Sequence, residues 1–166
     1  MKNSIVIIAL VALSSFVFEA SFAQATANQN LTLAVNTIYK IATSGNPGAL
    51  TISTGTAGTD ALTSVSDAST TYSMTQNFGN TVKITANLDA VLTAGYQLQI
   101  NLASSKGTSA GTVDISNATS ASAATVVSAI AKGADAGKAI TYTFSANASA
   151  GTLASTAKVV TLTITN

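Results

Sequence analysis

The sequence predicts an all-β fold, an antiparallel sandwich of two sheets with about seven to nine strands. Three observations predict it. Apolar side chains recur at every second position in segment after segment, the period of a strand with one packed and one wet face. Thr and Val, which suit a pleated surface, fill those segments, while Gly, Asn, Asp and Ser punctuate them. The 166 residues, 47% of them hydrophobic, suffice for one ordinary core and not for two large ones.

The first stretch stands apart from that pattern. Lys2 precedes an apolar run from Ile5 to Phe18, and Ser21-Phe22-Ala23 supplies small residues where a signal peptidase reads. Residues 1–23 are therefore expected to be a cleaved export signal, leaving a β-sandwich domain over 24–166. The run is shorter than the ~20 apolar residues a bilayer needs, so no membrane insertion is expected after cleavage. The expected location is secreted, in the periplasm or outside the cell at its surface. With Cys 0, no disulfide framework and no lipid-bearing cysteine is available.

The strands then follow in order. Leu31, Leu33 and Val35 alternate with Thr32, Ala34 and Asn36, in a pattern that extends towards Ile41. Leu50 and Ile52 form a short alternating piece, and Tyr72 and Met74 another. Val82, Ile84, Ala86 and Leu88 oppose Lys83, Thr85 and Asn87; Tyr96, Leu98, Ile100 and Leu102 oppose Gln97, Gln99 and Asn101. Val113 and Ile115, then Ile140, Tyr142 and Phe144, and finally Val160, Leu162 and Ile164 complete the series. One segment departs from it. Between Ser120 and Lys132 the residues Val126, Val127 and Ile130 recur at helical spacing, with Gly133 placed to stop a helix, which predicts a short helix or pair of turns near 120–132. The terminal strand is expected either to lie inside a sheet, paired on both sides, or to offer an edge to another copy.

The chemistry is defined by what is missing. His is 0, Cys is 0 and Trp is 0, and the only Glu, Glu19, falls in the leader. The commonest general bases, nucleophile pairs and metal ligands are thereby excluded, so no enzyme, no catalytic residue, no metal and no cofactor is expected. Of the acids that remain, Asp60, Asp67, Asp89, Asp114 and Asp135, two brought together could run glycoside chemistry, but Asp89 and Asp114 lie at strand ends beside turn residues and read as turn formers. Gly58 to Asp60, with Asp67, offers oxygens for calcium but lacks the spacing of a calcium loop. The lysines are scattered and Arg is absent, so nucleic acid is not expected as a partner. Thr141/Thr143 and Thr161/Thr163/Thr165 each place hydroxyls on one strand face, a candidate array for ice or glycan. Tyr39, Tyr72 and Tyr96 are the candidate sugar-stacking aromatics, with core packing the simpler reading.

The order of an export signal, Leu31-Thr-Leu-Ala-Val35, Val82-Lys-Ile-Thr-Ala86, Ile140-Thr-Tyr-Thr-Phe144 and a terminal Val159-Val-Thr-Leu-Thr-Ile-Thr165 resembles uncharacterised exported bacterial β-sandwich proteins. More loosely it is similar to spore-coat-U and WxL-type surface domains. The resemblance implies an immunoglobulin-like sandwich at the envelope and no active site. Chaperone-usher pilus subunits are the nearest well-understood architecture, and in them an N-terminal extension adds a strand to the next subunit. This chain differs from them in Thr165 next to last, where they carry an aromatic, and in lacking their cysteine pair.

The expected function is that of an exported structural or surface-assembly protein, one that forms a fibre or coat. The alternative is a glycan- or protein-binding adhesive module of the bacterial envelope. Expected partners are the chain itself by strand addition, other envelope proteins, or a glycan. The candidate strand-exchange edge consists of Leu31, Leu33 and Val35 at one end and Val160, Leu162 and Ile164 at the other.

Overall fold

The computed structural model describes residues 25–166, and the expected leader, 1–23, lies outside the described residues. Two units are distinguished, divided after Ala34. In the described part of the first, residues 25–34, every side chain is exposed and no strand forms.

The second unit is built from nine strands among the described residues: β1 (Tyr39–Thr43), β2 (Val65–Gln76), β3 (Val82–Leu88), β4 (Tyr96–Leu102), β5 (Thr108–Ser109), β6 (Val113–Asp114), β7 (Ala124–Ile130), β8 (Gly133–Ala146) and β9 (Val160–Thr165). They form a five-stranded sheet in the order β1-β2-β8-β4-β6 and a four-stranded sheet in the order β5-β7-β3-β9. All pairings are antiparallel. From β2 onward successive strands alternate between the sheets, so each connection crosses from one layer to the other.

Period-two patterning produces the core. Val82, Ile84, Ala86 and Leu88 of β3 are buried while Lys83 between them is exposed, and Leu98, Ile100 and Leu102 of β4 face them from the other sheet beside Ile140 and Tyr142 of β8. Each such side chain contributes about 1.5–3 kcal/mol on leaving water. The Tyr72 hydroxyl, at the margin of the core, donates to the Ala103 carbonyl at 2.8 Å. Gln76, 1% exposed, donates to the Ile130 carbonyl and accepts from the Phe78 N–H.

Two expectations are corrected and a third, a short helix or pair of turns near 120–132, is met in its turn and extended by a strand. The first strand starts at Tyr39 and not at Leu31, because β2 ends at Gln76 opposite Tyr39 and leaves nothing upstream to pair with. Asn77 closes that ladder: its Oδ1 accepts the Ile38 N–H at 2.6 Å and its Nδ2 donates to the Asn36 carbonyl at 2.8 Å. Leu50 and Ile52 belong to no strand, since they fall in the long connection 44–64, which carries only a single bridge, Gly55 to Leu62, within itself.

The segment near 120–132 is a turn followed by strand β7, and not a helix. Its register against β3 pairs Val82 with Ile130, Ile84 with Val127 and Thr85 with Thr125, so β7 carries an extra residue in each of two intervals. These are β-bulges, and each reverses the inside–outside parity. That is how Val126, Val127 and Ile130 all reach the core from a strand, and Ala129 at the second bulge takes φ 51°. The one short helical turn among the described residues is at Ala148–Ala150.

Candidate functional site: the open side of the sandwich

The two sheets approach one another along both sides, and a gap remains on one of them. At one side β6 and β4 approach β7; at the other the edges are β1 and β9, which approach one another. The terminal strand thus lies at an edge and, among the described residues, pairs only with β3.

Which backbone groups it leaves free follows from its register. The Asp89 N–H donates to the Val159 carbonyl at 3.0 Å, which makes 89/159 a hydrogen-bonded pair. In an antiparallel ladder such pairs alternate, so Thr161, Thr163 and Thr165 point their N–H and C=O groups at β3. Those of Val160, Leu162 and Ile164 point to the free edge. The side chains of the same three residues face inward yet are only half-buried, in contrast to the fully buried row on β3. Asp89 sets the start of the strand, its carboxylate accepting the Val159 N–H at 3.1 Å, and Lys158 donates to the Ala90 carbonyl.

Beside this edge the layers leave a gap of about 1330 Å³ that is open to solvent. Its floor is Ile140, Tyr142 and Phe144 of β8 with Leu98 of β4, and its lip is Val160 and Leu162 of β9. Ile41–Thr43 of β1, the connections 44–52 and 151–159, Leu62 and Val91–Thr93 form the remaining walls, with Leu50, Ile52 and Leu153 among the lining residues. Thr70 of β2 also lines the gap; it is 4% exposed, and its hydroxyl has no hydrogen-bond partner among the described residues. Leaving a buried hydroxyl unpaired costs about 1–3 kcal/mol.

The sequence-predicted edge residues therefore divide. Val160, Leu162 and Ile164 are brought together along one free strand edge. Leu31, Leu33 and Val35 lie outside any strand and are 79%, 82% and 84% exposed. The gap between the sheets was missed in the sequence, since the residues that line it come from segments more than a hundred positions apart.

The other candidates are absorbed by structure. Asp60 holds the short helical turn, accepting the Ser149 N–H and hydroxyl, each at 2.8 Å. Asp67 supports a bulge in β2: the Ser69 hydroxyl and N–H donate to it and hold its carboxyl below the ordinary value. Among the described residues no three acidic, His or Cys side chains gather as metal ligands do. Burial would raise Asp114, but hydrogen bonds from Gln97 and Ser116 outweigh it and lower the carboxyl. Tyr72 and Tyr142 are core residues with hydroxyls pushed up by burial, Tyr96 stacks on Phe144, and Tyr39 meets Phe78 edge-on.

The threonine rows fall on different sheets, Thr141 and Thr143 on β8 and the terminal three on β9, so they make no common array. On the four-stranded sheet the register instead aligns Thr163, Thr85 and Thr125 across three strands.

The geometry defines an antiparallel two-sheet β-sandwich with one incompletely covered side, a scaffold compatible with structural or adhesive work. No family model matches the chain, nor does any curated protein or solved structure.

Proposed function

We propose that the protein is an exported, non-catalytic building block of a surface assembly, which associates through the open β1/β9 side of its sandwich. The observation that carries this reading is the unpaired edge of β9 beside a large apolar gap. An exposed edge with half-buried Val, Leu and Ile is an aggregation hazard in a protein that works alone, and sheet proteins ordinarily cover or charge such edges. Here the edge residues are uncharged. The leader-like residues 1–23 support export, and the lack of His and Cys supports a role without catalysis.

The test is the size of the chain beginning at Gln24, by size-exclusion chromatography and electron microscopy over a range of concentrations. Filaments or regular multimers are expected. A strict monomer that gives hits on a glycan array would instead select the adhesive module.

A further inference from the structure

We propose that the occupant of the gap is the segment Leu31–Asn36 of a second copy, which pairs with the free edge of β9 as an added strand. This rests on the assembly reading above and names its partner.

Four features converge. First, the gap is larger than the roughly 300–1,000 Å³ of ordinary small-molecule sites and runs beside a strand edge, so an extended chain fits it better than a compact ligand. Second, the N–H and C=O groups of Val160, Leu162 and Ile164 face the free edge and have no strand partner among the described residues. A strand laid there gains main-chain hydrogen bonds irrespective of its sequence, and its alternate side chains decide whether it fits.

Third, the segment Leu31–Asn36 has the required pattern. Leu31, Leu33 and Val35 would enter the gap on one face while Thr32, Ala34 and Asn36 look outward. It is six residues long, the length of β9, and each spans roughly 20 Å when extended. Those three apolar side chains are among the most exposed in the protein, and burying each contributes about 1.5–3 kcal/mol. Fourth, Thr70, one of the residues lining the gap, has a buried hydroxyl without a hydrogen-bond partner among the described residues, an imperfection in that wall of the isolated chain. One molecule thus carries both an unfilled slot and an unplaced strand of matching period. A head-to-tail arrangement between copies satisfies both, and because the donor and acceptor surfaces differ it propagates as an open chain.

The experiment compares the chain beginning at Gln24 with its Leu33→Asp variant. Position 33 is exposed and outside every strand, so the variant is expected to keep the circular dichroism spectrum of the parent. The parent should form multimers and the variant should be monomeric. A synthetic peptide of residues 29–37 should bind the monomeric variant and raise its Tm, whereas the same peptide carrying Leu33→Asp should do neither. Copies bearing Leu33→Cys mixed with copies bearing Leu162→Cys should become disulfide-linked between chains, the protein having no other cysteine.

Multimers that persist in Leu33→Asp overturn the inference while leaving the assembly reading in place, because another surface must then be used. A monomeric parent whose Tm falls on Leu33→Asp means the segment completes its own chain, and overturns it also. A monomeric parent indifferent to both substitution and peptide removes the assembly reading as well.

Discussion

The carboxylate of Asp135 accepts the backbone N–H of Ser105 at 2.7 Å, joining the start of β8 to the loop that follows β4. The same oxygen accepts from the Ser104 hydroxyl and the Lys106 N–H, and the other lies 3.2 Å from the Lys138 ammonium. One side chain, 5% exposed, therefore orders a whole turn.

Asp135→Asn is expected to destabilise the protein by about 1.5–3 kcal/mol, the range for hydrogen bonds to a charged group. An amide that keeps its oxygen on the Ser105 N–H turns its NH₂ towards Lys138 and loses that contact, and the flipped amide loses the Ser105 and Lys106 N–H bonds instead. Urea denaturation of the variant, compared with Ser104→Ala, checks this. A loss confined to the Ser104 contribution would show that the turn does not depend on the carboxylate.

Acid should unfold the protein through Asp135 and Asp114. Burial raises each carboxyl, but Ser105, Lys138 and Ser104 lower Asp135 by more, and Gln97 and Ser116 lower Asp114 by more. Their folded-state pKa values lie below those of the unfolded chain, so their contribution is complete above about pH 4 and is lost as pH falls through the folded values. At the other end Tyr72 and Tyr142 are raised by burial. Their contribution is complete below about pH 10 and is lost as pH rises through the folded values. With no His, the denaturation midpoint should be level between about pH 5 and 7. A slope there would show a group outside this account.

Gly107→Ala should cost about 1–3 kcal/mol, because an added Cβ would lie 2.7 Å from the Ser128 carbonyl oxygen and 2.6 Å from Ile130 Cγ1. The first is backbone and cannot step aside. Gly79→Ala is the control: nothing lies within 4 Å of its Cβ position, and the change should be neutral or stabilising by a few tenths of a kcal/mol. Equal melting temperatures for the two variants would contradict the close approach.

The asymmetry of the sandwich predicts unequal costs for truncating its apolar residues. Ile100, fully buried, should lose about 2–5 kcal/mol on change to Ala. Leu162, half-buried at the β9 edge, should lose less than about 2 kcal/mol in the monomer. Denaturation in dilute solution separates them. A Leu162→Ala cost as large as that of Ile100→Ala would mean that the β1/β9 side is closed.

Strands whose alternation is unbroken were legible in the sequence. β3, β4 and β9 fall where Val82–Leu88, Tyr96–Leu102 and Val160–Ile164 place them. Parity alone could not say which sheet each joins, nor that β9 would be an edge, because both depend on pairings between residues distant in sequence. The gap was illegible for the same reason. Leu31–Val35 shows the opposite limit: its alternation is as regular as that of β3, but a strand needs a neighbour, and β2 has ended before it begins.

β7 is the place where local spacing misleads, and Ala129 offers a test whose sign decides between the two readings. In a helix, Ala129→Gly costs about 1 kcal/mol, since Gly is the poorer helix former. In the bulged strand Ala129 holds φ 51°, which costs an L-residue roughly 1–2 kcal/mol and Gly nothing. Ala129 is exposed, so losing its methyl leaves no cavity. Against the gain stands the extra freedom of Gly in the unfolded chain, about 0.5–1 kcal/mol. The balance is a stabilisation of some tenths to about 1 kcal/mol for Ala129→Gly, with Asn, which tolerates this backbone region, close behind. Ala129→Val should be worse than the parent, because a β-branched side chain is poorly accommodated at positive φ. Thermal or urea unfolding that ranks Gly and Asn above Ala and Ala above Val identifies the bulge, whereas the order Ala above Gly returns the segment to a helix and separates Val126 and Val127 from the core they now share.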